Sequence, residues 1–233
     1  LILSGNLDVN DGTIKLDGNY PTGTDNVALG NTALDSVEAG GIKNTVIGSE
    51  SGTAITTGDA NTGVGYRSLL STTTGTLNAS FGDNSLRCNT TGANNTGLGT
   101  SALFNNTTAS FNTAVGSEAL STNTTGANNV AVGRLALKAN TTADDNTAVG
   151  FESLCANTTG AQNVAVGCSA LKANTTASNN TAVGTCALLV NTTGTRNTAV
   201  GHRALDANTE GNCNVSVGMT SLSANTTGDH NVA

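Results

Sequence analysis

Residues 112–128 read NTAVGSEALSTNTTGAN, and the next two stretches, 129–145 and 146–162, read NVAVGRLALKANTTADD and NTAVGFESLCANTTGAQ. The same pattern begins at twelve asparagines, each followed four residues later by glycine. The first spacing between these asparagines is 18 residues and every later spacing is 17. We call each unit a coil and number its residues from the asparagine, which is position 1. A tandem repeat of this length decides the architecture.

Invariant and variable positions within the coil are sharply separated. Position 1 is always Asn, position 5 is always Gly, position 4 is always large and apolar, and position 8 is Ala or Ser. Position 9 is Leu in every coil except one, which has Gly52. Positions 6, 7, 10, 16 and 17 vary and hold most of the charge. This division predicts one buried and one solvated face, with positions 4 and 9 inside. The predicted core is Val115, Leu120, Val132, Leu137, Val149, Leu154, Val166, Leu171, Val183 and Leu188.

Strands fit the coil better than helices. Seventeen residues would make about 4.7 helical turns, but each coil contains a glycine, and most contain an Asn-Thr-Thr cluster that favours turns. The short runs rich in Val and Thr favour two short strands per coil. Stacked coils then form an all-β protein, a parallel β-solenoid or β-roll. Strands about 4.8 Å apart would make twelve coils about 58 Å long.

The asparagine at position 1 has two interpretations. Stacked at the same site in each coil, its amide can form a ladder of side-chain hydrogen bonds. Alternatively, Asn is there only because it suits turns. The ladder predicted for the regular coils comprises Asn112, Asn129, Asn146, Asn163, Asn180 and Asn197.

Composition argues against several classes of function. Charged residues make up 11% of the chain, less than half of the roughly 25% in average proteins. The net charge is −7 and the basic residues are scattered, so we expect no nucleic-acid partner. No apolar run approaches about 18 residues, so we expect no membrane insertion. We find no catalytic set, metal motif or cofactor motif, and we expect no cofactor and no enzymatic activity.

Histidines and cysteines fall at scattered coil positions. His202 and His230 occupy positions 6 and 17 of different coils, so a shared site is not expected. The five cysteines occupy five different positions. Cys168 and Cys186 lie one coil apart at adjacent positions, where a disulfide is geometrically possible. The alternative is that these cysteines replace Ser or Ala at tolerant outer positions.

Asn-Thr-Thr recurs as the acceptor sequence for N-linked glycosylation. Turn chemistry, multiplied by tandem copying, explains the same pattern without any glycan. The candidate glycosylation residues are Asn89, Asn106, Asn123, Asn140, Asn157, Asn174, Asn191 and Asn225.

The N-terminal part differs from the rest. Residues 1–25 alternate apolar side chains across Asn10-Asp11-Gly12, which predicts a β-hairpin. Residues 26–60 form irregular first coils, and terminal repeats of solenoids are usually atypical. Residues 61–233 are regular and stop partway through a coil, so we expect a segment of a longer protein.

Repeated Asn-Thr-Ala-Val-Gly and Asn-Val-Ala-Val-Gly, followed by Ala-Leu or Ser-Leu, resemble the head repeats of YadA-type trimeric autotransporter adhesins. They resemble still more the shaft repeats of phage tail fibres, over about residues 26–233. The resemblance implies a homotrimer of left-handed parallel β-rolls, displayed on a virion tail fibre or at an extracellular surface. A host-surface receptor or glycan would then bind through other parts of the protein. The adhesin repeat is shorter, and the extra residues here fall in the Asn-Thr-Thr-Gly turn.

The thin core also favours assembly of three parallel copies. Each coil offers about two large apolar side chains, and the small residues at positions 3 and 8 would let neighbouring chains approach closely. The first alternative function is a cell-surface glycoprotein fibril with glycans on the Asn-Thr-Thr turns. A more remote one is ice binding by a flat threonine array, although most threonines lie in turns.

Overall fold

A computed structural model describes residues 25–233, and these form a parallel β-solenoid, which confirms the predicted all-β fold. Each coil contributes one three-residue strand at positions 2–4, and the twelve strands form one sheet in sequence order. Their bounds are β1 Val27–Leu29, β2 Thr45–Ile47, β3 Thr62–Val64, β4 Ala79–Phe81, β5 Thr96–Leu98, β6 Thr113–Val115, β7 Val130–Val132, β8 Thr147–Val149, β9 Val164–Val166, β10 Thr181–Val183, β11 Thr198–Val200 and β12 Val215–Val217.

Neighbouring strands pair without any shift of register. In β8 and β9, for example, Ala148 lies opposite Ala165 and Val149 lies opposite Val166. Residues at the same coil position therefore lie in straight rows along the solenoid axis. Adjacent members of a row are about 4.8 Å apart.

The second strand predicted for each coil is replaced by turns. Residues at positions 7, 9 and 17 have left-handed backbone conformations, with φ values of 54° at Glu152, 52° at Leu154 and 59° at Gln162. These reversals break the extended conformation, yet hydrogen bonding between coils continues. The Glu152 N–H donates to the carbonyl of Arg134 in the preceding coil at 3.1 Å, and the Leu154 N–H donates to Ala170 in the following coil at 3.0 Å.

The glycine at position 5 allows a close approach between coils. Gly150 has φ of +133°, and a Cβ there would lie 2.5 Å from the carbonyl oxygen of Gly167 in the next coil. No side chain fits at that distance, and L-residues avoid this conformation. The row of glycines along the axis therefore follows from stacking the coils.

The core consists of the side chains at positions 3, 8 and 9, which corrects the prediction for position 4. In the coil that begins at Asn146, Ala148, Ser153 and Leu154 are fully buried. The predicted core leucines are also fully buried: Leu120, Leu137, Leu154, Leu171 and Leu188. The predicted core valines are instead half-buried or exposed on the outer side of the sheet: Val115, Val132, Val149, Val166 and Val183.

The reason for the correction is the narrow interior of the coil. Alternation along a strand places positions 2 and 4 on one face and position 3 on the other, and the leucine at position 9 fills most of the space beside position 3. The second coil shows this limit, because it carries Val46 at position 3 and Gly52 at position 9. A Cβ on Gly52 would lie 2.8 Å from the Val46 Cγ1 atom. The small residues at positions 3 and 8 thus serve the interior rather than contacts between chains.

The first two coils have a core of their own. It contains Ala33, Leu34, Val37, Val46 and Ile55. Val37 and Ile55 occupy position 12, where the nine coils from Asn78 onward carry an asparagine. The hairpin predicted for residues 1–25 lies outside the described residues, except for Asp25. Between residues 25 and 233, the structure contains no helix that is long and apolar enough to cross a bilayer.

Candidate functional site

The side chains at positions 2 and 4 of β1–β12 form an uncharged surface along the whole described sheet, which we call the outer sheet face. Position 4 is apolar in every coil, and position 2 is Thr, Val or, once, Ala79. None of these side chains is fully buried. Val183 is 36% exposed, Val200 37% and Leu98 47%. The outer sheet face is therefore a long, uncharged pair of rows open to the surroundings.

Asparagine side chains at position 1 hold neighbouring coils together. The backbone N–H of Asn163 donates to the Oδ1 atom of Asn146 at 3.0 Å, and the Nδ2 atom of Asn146 donates to the carbonyl of Gly160 at 3.0 Å. The same backbone contact joins each successive pair from Asn95 to Asn231, and the members from Asn95 to Asn214 are buried. All six asparagines of the predicted ladder stand in this row.

A second asparagine ladder occupies position 12, which the sequence pattern did not reveal as structural. The Nδ2 atom of Asn157 donates to the Oδ1 atom of Asn140 at 3.1 Å and to the carbonyl of Gly160 at 2.8 Å. The Gly160 carbonyl therefore accepts hydrogen bonds from both ladders. The signal in the sequence was an asparagine that recurs at position 12 in the nine coils from Asn78 onward, but the turn and glycosylation interpretations both assumed that it is exposed.

This second ladder argues against N-glycosylation at the candidate asparagines and favours their structural interpretation. A glycan would be attached to the Nδ2 atom, which in this row points into the solenoid and already donates two hydrogen bonds. Seven candidates are fully buried: Asn89, Asn106, Asn123, Asn140, Asn157, Asn174 and Asn191. The eighth, Asn225, is half-buried, and its Nδ2 atom donates to Asn208 at 2.9 Å and to Gly228 at 3.1 Å.

The two threonines of the Asn-Thr-Thr turn have different environments. The hydroxyl of Thr158, at position 13, donates to the carbonyl of Thr175 in the next coil at 3.0 Å. Thr159, at position 14, is exposed. The first threonine therefore adds a third line of side-chain hydrogen bonds along the axis, beside the two asparagine ladders.

Ion pairs also link coils, but only at positions away from the outer sheet face. Lys138 Nζ lies 2.7 Å from Glu118 Oε2, and Lys172 Nζ lies 2.7 Å from Glu152 Oε2. Hydrogen bonding to Lys138 lowers the pKa of the Glu118 carboxyl. These partly exposed pairs contribute little to stability. Their importance is that they place paired charges at positions 7 and 10, off the outer sheet face.

The described residues show no assembled chemical site. Among residues 25–233, no three His, Cys, Asp or Glu side chains are placed to hold a metal ion. His202 and His230 are exposed at separate coil positions. The Cys186 N–H donates to the Cys168 carbonyl at 3.0 Å, and both cysteines are free thiols. Burial raises the pKa of the Cys155 thiol, which makes it a poor nucleophile.

Comparisons with protein-family models, with curated proteins and with solved structures found no match to this chain. The geometry of the solenoid is therefore what indicates its function. The features available are the continuous axial hydrogen bonding, the uncharged outer sheet face and the segregated charge.

Proposed function

We propose that this chain is a structural segment of a fibre, a phage tail-fibre shaft that holds a receptor-binding tip away from the virion. The observation that carries the proposal is that the successive coils from Asn78 to Asn214 are bonded to one another through the main chain and two largely buried asparagine ladders. Such a rod has a length set by the number of coils and resists bending. The repeated motif described above supports the same role.

A shaft accounts for the lack of an assembled chemical site among residues 25–233. Its function is mechanical and not enzymatic, and recognition of a host receptor or glycan belongs to other parts of the fibre. In the proposed fibre three copies run parallel and in register, at a virion tail or another extracellular surface. The glycoprotein-fibril alternative loses its support because the asparagines that would carry glycans are buried.

Labelling of native particles tests the proposal. An antibody raised against residues 61–233, bound to gold and imaged by electron microscopy, should mark a thin rod between the particle body and its distal tip. Label at the distal tip alone, or on material that never joins a particle or cell surface, would overturn the proposal. An antibody against an unrelated virion protein serves as the control for nonspecific labelling.

A further inference from the structure

We infer that the outer sheet face is the surface on which a second copy of this chain packs. This inference rests on the proposed fibre, because it names the surface through which the copies associate. It follows from the position of the valines at position 4, which point away from the interior instead of into it.

The distribution of charge singles out this face. The chain carries 9 basic and 16 acidic residues, yet positions 2 and 4 contain none of them in any of the twelve coils. Isolated exposed apolar residues need no explanation, but the unbroken row of apolar side chains at position 4, flanked by the Thr and Val side chains at position 2, marks an interaction site. From Val115 to Val217, position 4 is valine in seven successive coils.

The size of the face is sufficient for a stable contact. Twelve strands about 4.8 Å apart span about 53 Å, and three extended residues span about 10 Å, which gives about 530 Å² for each copy. Two such faces bury about 1,100 Å² together, and the three faces of the proposed fibre bury about 1,600 Å² in all, against the roughly 1,000 Å² expected of a biological interface. The backbone groups of β2–β11 are hydrogen-bonded along the axis, so association occurs through side chains.

The spacing of the rows selects the occupant. The outer sheet face repeats every 4.8 Å or so along its length, and only a surface with the same repeat can match it at every level. Another copy of this chain has that repeat by construction. Parallel packing in register also brings the larger Phe81 and Leu98 side chains of the copies together at the same levels. A second copy therefore fits the whole length of the face.

A pair of double variants tests the inference. Val183→Lys with Val200→Lys places two charges on the outer sheet face, where these residues are 36% and 37% exposed. The control, Phe151→Lys with Val190→Lys, adds the same charge at residues 42% and 37% exposed that lie off this face. Light scattering should give the wild type and the control a mass of at least twice the 23.0 kDa of one chain, while the test variant should have the mass of a single chain. Far-UV circular dichroism should show the same β-rich fold in all three.

A second double variant, without added charge, tests the inference if the lysines prevent folding. Val183→Thr with Val200→Thr keeps the side-chain shape and uses the residue common at position 2. We expect the concentration at which half of the assembly dissociates to rise at least tenfold, whereas Val190→Thr leaves it unchanged.

Three results would overturn the inference. The first is a wild-type chain that is folded and monomeric at all concentrations. The second is a test variant that remains assembled, and the third is a control that dissociates to the same extent as the test variant. In the second and third cases the outer sheet face is not the specific contact, and the fibre proposal stands. Conversely, if light scattering gives the expected masses but the antibody does not label a rod on native particles, the shaft proposal is rejected and the interface between copies stands.

Discussion

Leucine at position 9 adopts a conformation that leucine ordinarily avoids. Leu154 has φ of 52° and is fully buried. The left-handed conformation costs about 1–2 kcal/mol for a residue with a Cβ. Burying the side chain contributes about 1.5–3 kcal/mol. The same balance between the cost of the left-handed backbone and the gain from burying leucine recurs in nearly every coil. Burial of the leucine side chain therefore stabilises the turn.

The two large apolar residues of a coil should differ in their effect on stability. We expect Leu154→Ala to lower the free energy of unfolding by about 2–5 kcal/mol, because it leaves a cavity. Val149→Ala removes a half-buried side chain and should cost about 1 kcal/mol or less. Urea denaturation at a concentration where the chain is monomeric measures both. Equal losses would show that Val149 also lies in the core.

An exposed residue at position 17 offers a stabilising change. Phe111 has φ of 63° and is 61% exposed, so its ring gains little from packing while its backbone is strained. Asn tolerates this conformation, and we expect Phe111→Asn to raise the free energy of unfolding by about 1 kcal/mol. Thermal unfolding measures the change. The control is Val190→Asn, at an exposed site without positive φ, which should not stabilise the chain.

Residue patterns predicted the repeat and the strand but not which side of the strand is buried. Alternation shows only that positions 2 and 4 share a face. The direction depends on Leu154 and its equivalents, which enter the interior from the turn opposite the strand and leave room only for Ala148. The second coil held the available clue, because it carries a larger residue at position 3, Val46, and no side chain at position 9, Gly52. This combination can be interpreted only when positions 3 and 9 are known to be in contact.

At the scale of structural elements, the asparagine ladders hold neighbouring coils together, a role that apolar side-chain packing has in proteins with a thicker core. In each coil that carries both ladders, one carbonyl accepts a hydrogen bond from each of them, as the Gly160 carbonyl does. They differ in what the Oδ1 atom accepts. At position 1 it accepts a backbone N–H of the next coil, and at position 12 it accepts only the next side chain. The position 1 ladder therefore satisfies buried backbone that nothing else reaches.

This difference predicts unequal losses. Asn146→Ala leaves the buried N–H of Asn163 without its acceptor, and an unsatisfied buried group costs about 1–3 kcal/mol in addition to the lost bond. We expect a total loss of about 2–4 kcal/mol. Asn157→Ala should cost about 1–2 kcal/mol, because the Nδ2 atom of Asn174 still donates to Ala177. Denaturant titrations of the two variants give the comparison, and an equal or reversed order would contradict it.

The whole molecule behaves as a one-dimensional stack. Each strand contacts only the strands of the coils before and after it. The stability of such a stack is the sum of coil and neighbour contributions. The repeat unit, rather than the number of residues, therefore governs which changes in length the fold accepts.

Deletions of different lengths test whether the repeat unit or the number of residues decides which changes the fold accepts. Removing residues 146–162 deletes one whole coil, joins Asp145 to Asn163 and keeps every row aligned. We expect a cooperative β-fold with a free energy of unfolding within about 1–2 kcal/mol of the wild type. Removing only 150–158 leaves a coil too short to return to its start, and should destroy cooperative unfolding. Circular dichroism during thermal unfolding distinguishes the two, and equal tolerance would contradict the stacked architecture.

The hydrogen bonds that join successive coils run along the axis, so tension applied at the two ends of the rod loads all the junctions in series, and they give way one after another. Each coil that peels away replaces about 4.8 Å of rod by a free strand of about 60 Å of chain. The rod can thus lengthen in steps more than tenfold its repeat, absorbing work at every step, while the coils still stacked keep their shape.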